Sequence, residues 1–284
     1  MRATEGDLLE YRVVDAFTQR PFAGNPAAVI LPGAASDGLD DGQRQWLAAE
    51  MNLSETAFPS PVDDSGTRRL RWFTPSTEVT LCGHATLATA HALLEEGAEA
   101  PFRFFSTSGP LTVEQEGGGR LRLDFPADPP EPLPAPEGLM QALGLPPGTP
   151  FLSGSRCALV PLDQEAAVLA VEPDQGALGR VALPPGVMGI SVTAPGSEAE
   201  VDFVSRFFGP WVGVPEDPVT GMAHTVLGPY WAEELGRDKL EARQRSRRGG
   251  QLGVRVRGNR VHLTGTAITV ARGRIRVPPT APPR

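Results

Sequence analysis

Across its 284 residues the chain has only two cysteines, Cys82 and Cys157, and a single lysine, Lys239. Thiols 75 positions apart make neither a disulfide framework nor a zinc ligand set of the usual close spacing, so a reducing compartment is expected and no metal is called for. Positive charge is in deficit: Lys+Arg 26 against Asp+Glu 34 leaves a net charge of −8. Such a balance repels phosphate backbones and anionic bilayers, so no nucleic-acid partner and no membrane partner are expected, and any anionic ligand must be held locally. No stretch approaches the ~20 uninterrupted apolar residues of a bilayer span. The start MRATEGD has no apolar run before Leu8, which reads as no signal peptide and a cytoplasmic location. The basic side chains other than Lys239 are arginine, a bias that a GC-rich genome explains without function.

With 40% apolar and 21% charged residues, the chain is too hydrophobic for disorder, and its length suggests about two domains of roughly 150 residues. Gly 32 and Pro 30 point to many short strands joined by tight turns. Residues 9–17 read as a strand, Pro26 to Leu31 as a second, and Asp40 to Asn52 as a helix with Leu47, Ala48 and Met51 on one face. Leu70 and Trp72 alternate with arginines as in a half-buried strand; Leu121, Leu123 and Phe125 do the same after the turn Gly117-Gly118-Gly119. Gly83 to Gly97 is helical by length and content.

The stretch PADPPEPLPAP holds six prolines in eleven residues, too many for a helix or a central strand, and is the best candidate for a linker between a first domain, 1–126, and a second, 127–284, whose last strand is free to cross back. The second half repeats the first in kind. Strands are expected near Ala158 to Leu162, Gly189 to Thr193 and Val201 to Phe207, a helix from Gly221 to Leu235, then strands near 254–256, 261–263 and 267–270; the terminal PPTAPPR reads as a polar tail. GHATLATAHALLEE from Gly83 and GMAHTVLGPYWAEE from Gly221 overlay at an offset of 138 residues. Two halves so built would bring two glycine-started helix N-termini toward a shared cleft. There the first N–H groups lack intrahelical partners and would grip a carboxylate without a basic side chain, although Gly83 and Gly221 could equally be mere helix caps.

The runs VVDAFTQRPFAGNPAAVI (13–30), MNLSETAF (51–58), RWFTPSTEVTLCGHATLATAHAL (71–93), FSTSGPLTV (105–113), RFFGPWVGVPEDPVTGMAH (206–224) and VHLTGTAITVARGRI (261–275) resemble, in order, the PhzF family of phenazine-biosynthesis-like isomerases. The resemblance implies an α+β fold of two pseudo-symmetric domains, each a strongly curved, mostly antiparallel sheet or barrel around a central helix, as in diaminopimelate epimerase. It also implies an active site between them, a homodimer, no cofactor and no metal. The family's best-studied chemistry relocates a proton on a dihydro-hydroxyanthranilate: a glutamate takes a proton from carbon and returns one elsewhere. That glutamate matches Glu55, the family's histidine His84 and its aspartate Asp217; Gly83, Gly221 and Met222, at the two helix starts, are the candidate substrate-binding positions through their backbone N–H groups. Members with known isomerase chemistry commonly carry serine where this chain has Met222, which puts substrate identity in question while leaving the backbone N–H in place.

Each candidate has a plainer alternative. Glu55, flanked by Leu53, Ala57 and Phe58, would have its pKa raised by desolvation, as a two-way shuttle requires, or be a solvent-facing strand residue. His84 at a first helical turn would be kept neutral by the macrodipole, or be a packed core histidine. Asp217 before Pro218 is a functional carboxylate or a cap. Cys82 is a small buried apolar residue or, paired with Asp217, half of a racemase-like couple, since related proline racemases and diaminopimelate epimerases use two opposed cysteines. A catalytically idle binding or scaffold protein is a third reading. His224 and His262 read as structural, and the arginines between 243 and 260 as the solvated face of a strand.

Overall fold

The computed structural model describes residues 8–280; the acidic N-terminal start and the last residues of the polar tail lie outside them. In chain order, β1 (Leu8–Ala16) and β2 (Asn25–Ile30) precede two helices, α1 (Ala34–Asp37) and α2 (Asp41–Met51). Next come β3 (Glu55–Pro59), β4 (Thr67–Phe73), the short β5 (Glu78–Val79), α3 (Gly83–Glu95), β6 (Phe102–Ser106), β7 (Gly109–Glu116) and β8 (Arg120–Pro126). The chain continues through β9 (Glu131–Pro132), α4 (Leu139–Leu143), β10 (Leu152–Ser153), β11 (Cys157–Pro161), α5 (Glu165–Leu169), α6 (Gln175–Leu178), β12 (Gly189–Pro195) and β13 (Phe203–Gly209). It closes with β14 (Val214–Asp217), α7 (Gly221–Leu235), β15 (Lys239–Gln244), β16 (Gly250–Arg257), β17 (Arg260–Gly265) and β18 (Ala267–Arg276).

The described residues form two compact units, one of 8–123 with 265–280 and one of 124–264. The first division therefore falls inside β8 rather than at 126/127, and β18 pairs antiparallel with β1 from Leu8↔Arg276 to Ala16↔Ala267. The proline-rich stretch is not a free linker. The N–H of Ala127 bonds to the Asn259 carbonyl and that of Asp128 to the Thr225 carbonyl, the Asp128 carboxylate accepts from the Ser155 N–H at 2.9 Å, and β9 pairs with β10. Prolines carry no N–H, so the few donors the segment has are the ones that had to be matched, and the second unit matches them.

Within the first unit β1–β2 is antiparallel, β2–β3 parallel, β3–β4 antiparallel, β4–β6 parallel, and β6–β7 and β7–β8 antiparallel. In the second unit, β10–β11, β11–β12, β12–β13, β13–β15, β15–β16 and β16–β17 run through the same alternation. A short strand paired to the fourth member, β5 or β14, precedes the long helix in each. The repeat glimpsed in the two glycine-led helices is thus a repeat of whole topology.

Both long helices are apolar almost all round, the mark of a helix at the centre of a core. Residues Ala85 to Ala90 of α3 are buried without interruption, and their small side chains let the sheet approach closely. In α7 the Trp231 indole stacks on Phe203 with centroids 5.6 Å apart and donates to Thr193 Oγ1 at 2.9 Å. Gly228 lies against β16, where an added Cβ would come within 2.8 Å of Val254 Cγ1. α2 covers the outer face of the first sheet with Leu47 and Ala48 against Leu9, Ile30, Phe58 and Phe73. In the second unit the outer cluster packs α4, α5 and α6 onto Val160, Ile190, Val192, Val204 and Phe208. Among the described residues no helix is long and apolar enough to cross a membrane.

Candidate functional site

Asn52 ends α2 in a left-handed conformation (φ 48°), one that asparagine tolerates better than most residues. This turns the chain so that Ser54 and Glu55 enter β3, which pairs in parallel with β2 at Ala27↔Glu55. A second tight turn delivers Asn25, the first residue of β2: Gly24 has φ +65°, and a Cβ there would stand 2.2 Å from the Ala16 carbonyl oxygen. The third component comes from α3, with Cys82 at its N-cap and His84 in its first turn.

These elements bring Glu55, Cys82, His84 and Asn25 together. His84 Nε2 is 3.0 Å from Glu55 Oε2, with side chains 7% and 17% exposed; the two atoms are not aligned for a linear hydrogen bond, so the contact is chiefly electrostatic. On the other ring nitrogen, Nδ1 lies 3.2 Å from Asn25 Nδ2 and 3.6 Å from Cys82 Sγ. Ser54 Oγ donates to Asn25 Oδ1 at 3.1 Å.

Burial disfavours the cationic form of His84, but the Cys82 sulfur and the Glu55 carboxylate act the other way, and the ring's pKa is held well above the ordinary 6.5. Cys82 is itself pushed up, by burial first and by the Glu55 charge second. It is therefore a neutral thiol at ordinary pH, and Glu55 is the charge that favours the imidazolium. That charge opposes the neutral imidazole expected from the macrodipole alone. A macrodipole presents about half a charge at a helix N-terminus, whereas the carboxylate presents a whole one at contact distance.

One donor atom each from Glu55, Cys82 and His84 falls within 4.8 Å of the others. Oxygen, sulfur and nitrogen are donors a zinc-like ion accepts. Here the ring's Nδ1 already faces the Asn25 amide and its Nε2 faces Glu55, so the cluster fits proton handling better than metal binding.

The remaining candidates stand in the second unit. Asp217 ends β14, and its carboxylate accepts from Thr220 Oγ1. Gln244, 1% exposed, clasps this turn: its Nε2 donates to the Asp217 carbonyl at 2.7 Å and to Thr220 Oγ1 at 3.1 Å, and its Oε1 accepts from the Thr220 N–H at 2.8 Å. Glu216, on the same strand, is gripped by Arg206, whose guanidinium also caps the Val171 carbonyl at 2.6 Å. Gly221 and Met222 open α7, buried and half-buried respectively.

Neither Gly83 nor Gly221 is a cap. The N-cap positions belong to Cys82 and Thr220, and neither side chain caps its helix, Thr220 being committed to Asp217 instead. Both helices thus begin with backbone N–H groups that no capping side chain takes up.

His224 is fully buried, with Nδ1 2.8 Å from the Thr220 carbonyl; burial drives its pKa down to about 4. It is a core histidine. His262 lies 3.5 Å from Asp124. Arg243 and Arg245 are paired with Glu198, and Arg245 also with Glu165. Asn25, Ser54, Thr220 and Gln244 were not singled out from sequence; the only local signal was the Gly-Asn turn ahead of an apolar strand.

Residues 14–273 match the PhzC-PhzF family, phenazine biosynthesis-like protein. A protein of Pseudomonas aeruginosa described as an uncharacterized isomerase is 50% identical over 271 residues, covering 95% of this chain and 99% of its own. The crystal structure of a PhzF-family protein from Enterococcus faecalis superposes with a TM-score of 0.86 at 41% identity over 94% of this chain and 99% of that one. A hydroxyproline epimerase from Agrobacterium vitis shares the fold alone, with a TM-score of 0.62 at 14% identity over 97% and 94% of the two chains. The chain belongs to the PhzC-PhzF family and has its α+β, epimerase-like fold.

Proposed function

We propose that the protein is an isomerase that relocates a proton on a small carboxylate-bearing substrate without a cofactor, with Glu55 as general acid and base. The observation that carries this reading is the sequestered Glu55–His84 pair at 3.0 Å, supported by the isomerase description of the Pseudomonas aeruginosa relative. A carboxylate held among Thr56, Ala57 and Phe58, all buried, keeps a fixed position and little competing water, which general-base attack on a C–H bond requires. Glu55 takes the proton from carbon, the electron pair moves along the adjoining unsaturation, and the same carboxyl returns a proton at a second carbon. His84, with its raised proton affinity, supports the carboxylate before transfer and its proton inventory afterwards. The open first turn of α3 supplies N–H groups for the substrate carboxylate; within the second unit the first turn of α7, at Gly221 and Met222, is open in the same way and is proposed as an anion-binding position. Asp217, steadied by Thr220 and Gln244, is the second functional carboxylate. We take the protein to be a cytoplasmic homodimer.

A second reading uses Cys82 as the base of a racemase or epimerase. Its support is the thiol's position 3.6 Å from His84 Nδ1; against it stands the upward push that burial gives the thiol. One experiment separates them. A panel of small unsaturated cyclic acids and amino acids is incubated in D2O, and deuterium incorporation is followed by mass spectrometry. Glu55→Gln should abolish incorporation while Cys82→Ala retains it. Retained exchange in Glu55→Gln at the wild-type rate would remove Glu55 from the mechanism, and exchange with no substrate in an adequate panel would favour an idle binding protein.

A further inference from the structure

Asn25 is fully buried and lies against the ring nitrogen of His84 that Glu55 does not occupy. The Glu55 charge favours a second proton on the ring. An amide NH2 turned toward Nδ1 demands the opposite, a bare lone pair, and a rigid amide would meet only one of these conditions. Amide and hydroxyl chemistry removes the conflict, because an amide has an acceptor at one end and donors at the other, while a hydroxyl both donates and accepts. With the ring neutral, Asn25 Nδ2 donates to His84 Nδ1 and Ser54 Oγ donates to Asn25 Oδ1, the arrangement observed. With the ring cationic, the amide turned over would place Oδ1 on the Nδ1 proton and let Nδ2 donate to Ser54 Oγ. Neither state leaves a donor facing a donor at His84 Nδ1 or at Ser54 Oγ.

We propose that Asn25 and Ser54 are positioning residues for His84, a two-state relay whose amide turns over as the ring gains or loses its second proton. This rests on reading Glu55 and His84 as the proton-handling pair, and it supplies the means by which the ring changes charge in a closed environment. The groups facing the ring are Glu55 from β3, Cys82 from the N-cap of α3 and Asn25 from β2. A protonated Cys82 adds no charge, and its sulfur tolerates either state of Nδ1.

The first arm of the test, a titration, needs no substrate. The chain has four histidines, and its asparagines are Asn25, Asn52 and Asn259, so selective 15N labelling of both types resolves the side chains by NMR. In a pH titration of the whole protein, the His84 ring nitrogens and the Asn25 amide should move with one common midpoint that Asn52 and Asn259 do not share. Asn25→Asp, an acceptor only, should hold the ring cationic and raise its proton affinity by at least about tenfold. Ser54→Ala, a mild change at a half-buried site, should weaken the amide's co-titration and slow exchange about tenfold with KM within about threefold, a loss confined to the proton-transfer step. A fixed Asn25 amide while His84 titrates, or a ring that keeps one protonation state throughout the pH range of stability, would overturn the relay. Co-titration without exchange activity would leave the relay standing and sink the isomerase, while exchange with a fixed amide would do the reverse.

Discussion

Replacing Glu55 by Gln should reverse the sign of one component of the protein's pH-dependent stability. At 3.0 Å and an effective dielectric of about 20, two unit charges attract by about 5 kcal/mol. Withdrawing each ion from water costs several kcal/mol, so the net worth of the pair is a small difference and a poor observable. Proton linkage is a better one. In the wild type the folded pKa of His84 lies well above the unfolded value near 6.5, so its stabilisation is complete below that value and is lost as pH rises toward and through the folded pKa. In Glu55→Gln the opposing charge is gone, Cys82 is a neutral thiol, and burial is left as the main influence on the ring. The folded pKa then falls below the unfolded one, and the ring contributes stability above about pH 6.5 that disappears on acidification. One proton changes stability by at most about 1.4 kcal/mol per pH unit, so between pH 6 and 8 the two curves should diverge by up to about 2.7 kcal/mol. His91 and His224 titrate in both proteins and cancel. Urea unfolding at half-unit steps of pH measures the difference directly. Parallel curves would refute the ion pair, whatever the activity of the variant.

Burial, which raises the Cys82 thiol, should make its alkylation at pH 8 much slower than that of a free thiol, and Cys82→Ala should keep deuterium exchange within about tenfold; rapid alkylation that substrate prevents would favour the racemase reading. His224, driven from 6.5 down to about 4, stays neutral in the fold, so the stability it contributes above pH 6.5 should be lost between about 6.5 and 4, about 3 kcal/mol in all, and His224→Gln should flatten that part of an acid-unfolding profile. Gln244→Ala deletes the hydrogen bonds that hold the Asp217 carbonyl, the Thr220 hydroxyl and the Thr220 N–H, at about 1 kcal/mol each; a urea-derived loss under about 1 kcal/mol would show that the turn holds its shape without the clasp. Met222→Ser, which keeps the backbone N–H, should leave sulfate inhibition within a factor of about ten, roughly 1.4 kcal/mol, while improving turnover of a hydroxylated cyclic acid; abolished inhibition with the fold intact would count against backbone anion binding.

Sequence patterning showed the long elements because their signals were uninterrupted. Leu121, Leu123 and Phe125 are buried between partly exposed neighbours in β8, as their alternation requires, and α3 and α7 run close to the expected limits. The short helices α4, α5 and α6 have four or five residues each, too few for a 3.6-residue periodicity to declare itself. Residues 102–105, Phe-Arg-Phe-Phe, form part of β6, where Phe104 is buried and Phe105 58% exposed. The outward phenylalanine breaks the polar half of the alternation and hides the strand. Composition placed the division within three residues of where the units part, although a count of helix breakers says nothing of where the remaining N–H groups bond.

The site was legible to the extent that its chemistry sits in contiguous motifs. Glu55 and His84 each lie in a recognisable run, but their partners do not. Asn25 meets a ring 59 residues away and Gln244 a turn 24 to 27 residues away, distances that leave no local periodicity or spacing to read. The charge state of His84 shows the same limit from the side of electrostatics. Sequence supplied the helix start and therefore the dipole; only the parallel pairing of β2 with β3 sets Glu55 beside that helix start, and a full charge at contact outweighs the partial charges of the first turn. Local sequence thus named the two groups that meet at the helix start, while the charge beside the ring was decided by a strand register that no single segment encodes.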